Sequence, residues 1–438
     1  MAGLDSTLVQ LVGLETPSQL KASRAGRPPA GRPRKTFLLL QGVSSPFFMT
    51  LAKALRSAGQ VVHSISYNVG DRLYSAGSQH TCRCPLDELE GYYAERFAQL
   101  QVTDIVLFGD CRPVHRPAIA LARRLGLGVH VFEEGYFRPY WITLERDGVN
   151  SNSGLPRDPQ WYREVGKHVP RYDNGKAFKL SFMARASHDV MYHVGGALNP
   201  VCYPKYRTHA PFSAATEYAG FIRQGARLLR SRQRDNALVA QVAEERQPTF
   251  LLPLQLDSDA QIRDHSRFAN MREVIAHVIA SFAAHAPSDA RLLVKNHPLT
   301  PGLLNYRQIT AQLAREHDVA ERVEFMESGY MPTLLSHIQG LITVNSTAGA
   351  SALFHGRPTI ALAEPIYAMP GLTQQSSLDE FWVDPQAPDM TLFKRFRNTV
   401  IHTTQVNGGF YTRSGMDLAA ANCLDVLLAP TSRIEQYL

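Results

Sequence analysis

The sequence predicts an α/β protein with two Rossmann-like domains that face each other across a cleft. Short apolar strands alternate with helices over residues 36–132, and a second alternation begins at Thr249 and ends at Leu362. Strands that alternate with helices are typical of a parallel sheet covered by helices on both faces. At 438 residues, the chain is long enough for two such domains, each with its own core.

The first alternation supplies the N-terminal domain. Ligands in wound parallel sheets bind beyond the carboxyl ends of the strands, so the polar residues that follow each strand are the candidates for a site. Strands are predicted at Thr36–Leu40, Val61–Tyr67, Asp104–Phe108 and Val129–Phe132, and helices at Phe47–Ala58 and Ala118–Leu125.

The second alternation supplies the C-terminal domain and ends in a strand–turn–helix–strand unit at Leu341–Leu362. Two Rossmann-like domains facing across a cleft form the architecture of GT-B nucleotide-sugar glycosyltransferases. The earlier strands are predicted at Thr249–Leu254, Ala290–Lys295 and Val323–Phe325, and the helices between them at Met271–His285, Tyr306–Glu316 and Met331–His337.

Changes in composition predict the domain boundaries. Residues 1–35 form a flexible basic leader, 36–245 the N-terminal domain with a basic helical insertion, 246–385 the C-terminal domain, and 386–438 a helical tail that packs back on the N-terminal domain. Within the insertion, Phe221–Arg234 mixes apolar residues with arginines. Such a basic amphipathic helix lies on an anionic bilayer or packs on its own domain, and the sequence leaves both readings open.

Charge and composition limit the class of protein. A net charge of +7 and a pI near 9.1 favour acidic partners: nucleotides, anionic lipid headgroups or nucleic acid. No signal peptide or run of membrane-spanning length is evident, so we expect a cytoplasmic protein that touches a membrane only at its surface. The five cysteines suggest no disulfide framework, which favours a reducing compartment; they are Cys82, Cys84, Cys111, Cys202 and Cys423.

The turn Asn345-Ser346-Thr347 is the first candidate site. It follows an apolar strand and precedes a segment of small residues that Gly356 closes, so its hydroxyls and backbone N–H groups lie at a helix N-terminus. Such a terminus binds phosphate or carboxylate groups. An ordinary capped helix has the same pattern.

Three further strand ends carry chemical groups. Glu133 and Glu134 end one strand, and because adjacent side chains on a strand diverge, at most one of them enters a cleft as an acid or base. Lys295-Asn296-His297-Pro298 ends another, where Lys and His suit phosphate oxygens; we expect it on a strand neighbouring the Ser346 turn. Asp257 and Asp259 follow the strand at Thr249, and too few other ligands lie near them in sequence to argue for a metal site. A nucleophile and a solvated loop are the two readings that stay open.

Taken in order, these motifs resemble the bacterial capsule polysaccharide biosynthesis and export family of the KpsS/LipB type. The resemblance extends from about Phe37 to Trp382, and the ordered set is more specific than any single motif. The motifs are Gln-Gly and Ser-Pro-Phe-Phe within Gln41–Phe48, Phe132–Pro139, Trp141–Glu145, Pro253–Ile262, Lys295–Pro298, Val344–Gly349 and Pro370–Trp382.

The resemblance implies a retaining β-Kdo transferase that uses CMP-Kdo and starts a poly-Kdo linker on a phosphatidylglycerol-type lipid. By the same resemblance, Glu133 or Glu134 is the acid or base and His297 contacts the CMP phosphate. Asp259 would be the extra carboxylate that a retaining double displacement needs. The remaining donor-binding residues would be Lys295, Pro298, Asn345, Ser346 and Thr347.

The implied acceptor is an anionic phospholipid or glycolipid, with Gln41, Gly42, Arg138, Tyr203 and Arg207 as its candidate contacts. We expect no required cofactor, no metal ligand set and no nucleic acid, and we leave divalent metal use open. The expected surroundings are the inner face of the cytoplasmic membrane and other capsule assembly and export proteins. Two alternatives remain: a non-catalytic component that binds lipid-linked polymer for export, and an inverting sialyltransferase-like enzyme.

Overall fold

A computed structural model describes residues 34–75, 78–207, 214–245, 247–256, 262 and 266–438. It contains two mainly parallel sheets flanked by helices, so the predicted α/β fold with two Rossmann-like domains is confirmed. The flexible leader proposed for residues 1–35 lies almost entirely outside the described residues.

The first sheet has seven strands in the order β12-β6-β5-β4-β1-β2-β3. The strands from β5 to β3 run parallel, whereas β6 is antiparallel to both of its neighbours. The predicted strands are present, and β3, β6 and β12 are additions that alternation did not predict. The strands are β1 (Thr36–Leu39), β2 (Val61–Ser66), β3 (Ser78–Thr81), β4 (Asp104–Phe108), β5 (Gly128–Glu134), β6 (Trp141–Arg146) and β12 (Gln405–Asn407).

Helices cover this sheet and bury its apolar side chains. Phe47 of the first helix packs edge-on against Phe132 of β5, with ring centroids 5.2 Å apart, and Phe410 from the tail completes the cluster. The helices are α1 (Phe47–Ser57), α2 (Val69–Leu73), α3 (Leu89–Leu100) and α4 (Arg116–Arg124).

The insertion between the sheets is helical. It contains α5 (Pro159–Val165), α6 (Phe182–Gly196), α7 (Asn199–Cys202) and the 31-residue α8 (Ala214–Glu244). Leu238 and Val242 of α8 are buried against side chains of the second sheet, including Leu251 and Leu293. The end of the insertion therefore packs on the C-terminal domain, although the sequence reading grouped it with the N-terminal one.

The second sheet has five parallel strands in the order β11-β10-β7-β8-β9. All residues of β7 and β8 are buried, as expected for central strands covered on both faces. The strands are β7 (Thr249–Pro253), β8 (Arg291–Lys295), β9 (Val323–Met326), β10 (Gly340–Thr343) and β11 (Thr359–Ala361), and the helices are α9 (Met271–His285), α10 (Tyr306–Glu316), α11 (Met331–His337) and α12 (Thr347–Phe354).

The tail returns to the first domain. It comprises α13 (Leu378–Phe381), α14 (Met390–Thr404), β12 and α15 (Arg413–Leu428). β12 extends the first sheet beside β6, and Met416 and Ala419 of α15 are buried in the cluster that holds α1. A largely helical tail was expected, and the strand within it was missed because Gln405–Asn407 is only three residues long.

An apolar cluster joins the two domains. Tyr136 and Tyr162 from the first domain pack with Leu353 from the second and Phe396 from the tail, and all four are buried. This contact fixes how the strand ends of the two sheets face each other.

Candidate functional site

Glu133 and Glu134 end β5, and their side chains diverge. Glu133 Oε1 accepts a hydrogen bond from the Glu134 backbone N–H at 2.9 Å, and its other oxygen lies beside Gly109 at the end of β4. Glu134 Oε1 instead accepts a hydrogen bond from the Tyr411 hydroxyl at 2.9 Å and lies 3.6 Å from the Arg185 guanidinium. Of the two side chains, that of Glu134 lines a cavity together with Arg138, Arg185 and Tyr411.

Arg185 and Tyr411 come from distant parts of the chain, α6 and the segment before α15. The Arg185 guanidinium lies over the Tyr411 ring, 4.7 Å from its centroid. Burial raises the pKa of Tyr411, and the negative charge of Glu134 adds to this rise, so the phenol stays protonated and donates to the carboxylate. Glu134 is thus held as an acceptor between a hydroxyl and a cation.

His297 lies on the opposite side of the cleft, in the loop after β8. Its Nδ1 accepts a hydrogen bond from the Leu299 backbone N–H at 3.1 Å. A neutral imidazole whose Nδ1 accepts must carry its proton on Nε2. Among the described residues, Nε2 has no hydrogen-bond partner, so the ring offers one N–H donor to a ligand.

The charge state of His297 follows from its surroundings. Burial and, to a smaller extent, the positive charges of Lys295, Arg138 and Arg185 together lower the pKa of His297 to about 4. The ring is therefore neutral near pH 7, and three cations lie close enough to affect its pKa. Two of these cations, Arg138 and Arg185, belong to the first domain, so positive charge from both domains converges on one histidine.

A buried polar network holds the His297 loop in place. The backbone N–H of His297 donates to Asn296 Oδ1 at 2.9 Å, and Asn296 Nδ2 donates to Glu327 Oε2 at 2.7 Å. Glu327 also accepts from Gln224 of α8 at 3.1 Å and lies 3.5 Å from Arg307. Since Glu327 is only 4% exposed, its charge depends on these partners.

Lys295 lies beneath this loop and is buried. Burial lowers its pKa, and the negative charge of Asp235 on α8 opposes that shift. Asp235 also accepts hydrogen bonds from the backbone N–H groups of Glu327 and Ser328, each at 2.9 Å. The insertion helix therefore supports two adjacent strand ends of the second sheet.

The turn Asn345–Thr347 caps α12 as the sequence indicates. Ser346 Oγ accepts from the Ala348 backbone N–H at 3.2 Å, and the Tyr367 hydroxyl donates to the Ser346 carbonyl at 2.5 Å. Asn345 exchanges two hydrogen bonds with the side chain of Gln255, which follows β7. Asn345 therefore anchors the turn, whereas Thr347 lines the interdomain cavity described below.

The His297 loop and the Ser346 turn are not on neighbouring strands, so that expectation was wrong. β7 lies between β8 and β10, and two strand spacings correspond to about 10 Å. The alternation of strands and helices in the sequence gives the order of the strands along the chain but not their order in the sheet. The gap faces the segment after β7, and Asp257 and Asp259 of that segment lie outside the described residues.

Two cavities flank Arg138. The interdomain cavity, of about 210 Å³, lies between Tyr136–Arg138 of the first domain and Thr347, Ser351 and His355 of α12. The side cavity, of about 280 Å³, is lined by Glu134, Arg138, Arg185 and Tyr411 and by the apolar side chains of Phe178, Leu180 and Phe182. Arg138 reaches both, so a ligand bridging the two cavities would meet its guanidinium.

The other predicted acceptor contacts lie elsewhere. Gln41 is buried, and its side chain bonds Asp71 and Arg112; the same arginine donates to the Gly42 carbonyl at 2.9 Å. Tyr203 is buried beside Arg83, and Arg207 is exposed. Arg138 is the one member of the predicted acceptor set that lines these two cavities.

Several site residues were missed by the sequence reading. Glu327 directly follows β9, so the rule that located His297 and Ser346 at strand ends also applies to it. Arg185 and Tyr411 gave no comparable signal, because they lie outside both strand–helix alternations and approach Glu134 only through the fold.

Within the described ranges, no three His, Cys, Asp or Glu side chains lie close enough together to hold a metal ion. None of the helices in that part of the structure is both long and apolar enough to cross a bilayer.

Comparison with known proteins gives the family. Residues 103–411 match the model of the capsule polysaccharide biosynthesis protein family. The capsule polysaccharide export protein KpsS of Escherichia coli is 37% identical over 86% of this chain and 97% of its own. The capsule polysaccharide modification protein LipB of Neisseria meningitidis serogroup B is 34% identical over 86% of this chain and 92% of its own.

Among solved structures, the β-Kdo 2,7 transferase of Thermosulfurimonas dismutans KpsC covers 91% of this chain and 97% of its own, at 12% identity and a TM-score of 0.40. The family assignment rests on the sequence relatives, which span nearly the whole described chain. This chain belongs to the capsule polysaccharide biosynthesis protein family.

Proposed function

We propose that the chain is a glycosyltransferase that moves Kdo from CMP-Kdo to an anionic lipid of the phosphatidylglycerol type, with retention, and so starts the poly-Kdo linker of a capsular polysaccharide. The observation that carries this proposal is the convergence of Lys295, Arg138 and Arg185 on a neutral His297 across the cleft. The family membership supports a role in capsule synthesis, and the cleft supplies the chemistry.

The donor is a double anion, and the cleft offers matching charges. CMP-Kdo carries a phosphate and, beside the anomeric carbon, a carboxylate. His297 Nε2–H and the N-terminus of α12 at Ser346 suit the phosphate, since both offer N–H donors. Arg138 and Arg185 suit the carboxylate, because they lie between His297 and Glu134. Fixed donors of this kind stabilise charge as it develops on the leaving phosphate.

In the proposed reaction, the Asp259 carboxylate attacks the anomeric carbon of Kdo, and the bond from that carbon to the phosphate oxygen breaks, which releases CMP. The acceptor hydroxyl then gives its proton to Glu134 and attacks the same carbon, and the bond to Asp259 breaks. Two displacements restore the original configuration. The Tyr411 hydrogen bond and Arg185 hold the Glu134 carboxylate in place at the edge of the side cavity.

This route assigns no step to a metal, because phosphate charge is matched by Lys295, His297 and the helix terminus. We expect transfer to persist after treatment with a chelator. Loss of activity on chelation and its recovery with Mg²⁺ would instead place a cation near Asp257 and Asp259.

The test is transfer itself. Purified protein is given CMP-Kdo and phosphatidylglycerol in detergent, and free CMP and the lipid product are measured by chromatography and mass spectrometry. We expect coupled release of CMP and formation of a β-Kdo lipid, abolished by Asp259→Ala and His297→Ala. Absence of turnover with any phospholipid or glycolipid acceptor would overturn the proposal in favour of a non-catalytic binding role, and an inverted product would favour a sialyltransferase-like mechanism.

A further inference from the structure

Helix α6 packs with its polar face inward. Tyr192 donates its hydroxyl proton to Asp71 at 2.8 Å and accepts from Asn68 at 2.8 Å. His188 bonds the Tyr74 hydroxyl at 3.1 Å, and Arg185 reaches Glu134. The contacts that fix α6 to the first domain are therefore mostly hydrogen bonds and an ion pair.

The opposite face of α6 is apolar and exposed. Met183 is 73% exposed, Val194 is 66% exposed, and none of the residues of α6 is buried. Exposed positions recur every three or four residues, which is the period of one helical face, and the spacing continues into α7. We call this face the α6 stripe; its apolar members are Met183, Val190, Met191, Val194, Leu198 and Val201.

This arrangement reverses that of a helix on the surface of a water-soluble protein, where the apolar stripe faces the core. Contiguous exposed apolar patches mark interaction sites. Isolated exposed side chains need no explanation, but six in a helical register do.

The neighbouring helix adds to the same region. Tyr218 of α8 lies against His193 of α6, with its hydroxyl 3.3 Å from Nδ1. Ile222 and Leu229 of α8 are each more than three-quarters exposed. The inward face of α8 is held to the second domain, where Arg223 donates to the Gly302 carbonyl at 2.5 Å. Thus α8 both packs on the protein and shows apolar side chains to the outside.

The charge around the stripe is strongly positive. Between Asn174 and Arg234, the acidic residues are Asp189 and Glu217. The lysines and arginines of the same stretch are Lys176, Lys179, Arg185, Lys205, Arg207, Arg223, Arg227, Arg230, Arg232 and Arg234. A two-fold contact with a second copy would bring these like charges together, whereas an anionic bilayer would neutralise them.

We propose that the α6 stripe inserts into the interfacial layer of an anionic phospholipid bilayer, with α6 lying in the membrane plane. The apolar side chains would enter the acyl boundary, and the flanking lysines and arginines would meet the lipid phosphates. Arg185 lies on the same helix and pairs with Glu134, so insertion would bring the side cavity next to the headgroups. This last consequence rests on the proposed lipid acceptor; the membrane contact itself does not.

The test is flotation of the full-length protein, without CMP-Kdo, on vesicles of phosphatidylcholine alone or with added phosphatidylglycerol. We expect binding that requires phosphatidylglycerol. The triple variant Met183→Ser, Met191→Ser, Val194→Ser should bind vesicles at least roughly tenfold more weakly, because it lacks three apolar side chains whose transfer from water into the bilayer favours binding. The matched control, Leu125→Ser with Val383→Ser, replaces exposed apolar residues elsewhere and should bind as the parent does.

Thermal unfolding of both variants checks that they fold, and the substituted side chains are exposed, so neither should unfold earlier. Equal vesicle binding by the triple variant and the parent, or no binding by the parent, would overturn the inference. If light scattering showed that the parent is a dimer and the triple variant a monomer, the stripe would be a contact with a second copy. That result would also overturn the inference. Vesicle binding without transferase activity would support the membrane contact of the α6 stripe and contradict the proposed function.

Discussion

Replacing His297 with alanine removes an imidazole N–H donor that the loop after β8 offers to the cleft. His297 Nδ1 is already occupied by the Leu299 N–H, so only Nε2 is available to a phosphate oxygen. A hydrogen bond to a charged partner contributes about 1.5–3 kcal/mol. At 1.36 kcal/mol for each factor of ten, the affinity for CMP should fall by roughly 10- to 150-fold.

The assay is calorimetric titration of CMP into the parent and the variant at neutral pH, where His297 is uncharged. The control is His337→Ala, because His337 is an exposed histidine on α11 whose Nδ1 bonds the Thr333 carbonyl at 2.8 Å. We expect the control to bind CMP as the parent does. An unchanged affinity in His297→Ala, with the fold intact, would refute the assignment of Nε2–H to the donor phosphate.

Three further predictions follow from the same contacts. Glu327→Gln should weaken the polar network under the loop and lower kcat/KM, measured by steady-state kinetics, because Asn296 no longer meets a carboxylate. Tyr411→Phe should cost about 1.5–3 kcal/mol of unfolding free energy in denaturant titrations, since its hydroxyl donates to the Glu134 charge. His297 has a pKa of about 4 in the folded protein, below the ordinary value of 6.5, so unfolding takes up a proton between pH 4 and pH 6.5. The stability of the parent should therefore fall as the pH falls through that window. His297→Gln should lose this part of the pH dependence in thermal unfolding.

An unchanged kcat/KM in Glu327→Gln would mean that Arg307 and Gln224 hold the loop without it. A Tyr411→Phe variant as stable as the parent would show that water or Arg185 replaces the hydroxyl. Identical pH profiles for the parent and His297→Gln would contradict the lowered pKa of this histidine.

Local sequence signals were sufficient for most of the elements and for the strand-end positions of several candidate-site residues. Apolar runs of strand length gave β4 exactly and the other main strands to within a few residues, and the helices at Met271–His285 and Tyr306–Glu316 match their predicted bounds. The strand-end rule located Glu134, His297 and Ser346, because all parallel strands of a sheet point their carboxyl ends to one edge.

Contacts between distant segments were not predictable in this way. Tyr411 meets Glu134 across 277 positions of sequence, and β12 joins the first sheet as a three-residue strand. The placement of β7 between β8 and β10 depends on how the crossovers wind, which alternation does not record. These features depend on tertiary packing rather than on local pattern.

The α6 stripe shows that amphipathic periodicity alone does not tell which helical face is buried. Amphipathic periodicity predicts that one helical face is apolar, and the default assignment is that this face points to the core. In α6, the polar side chains of Tyr192 and Arg185 have specific partners on the protein, which turns the apolar face outward. Only the structure reveals which face has partners.

The most direct test of the central claim is a crystal structure with CMP bound. The cleft assignment predicts density for the phosphate within hydrogen-bond distance of His297 Nε2 and of the Thr347 backbone N–H, with Arg138 or Arg185 facing it from the first domain. CMP bound away from both the His297 loop and the Ser346 turn would contradict the assignment of this cleft as the donor site.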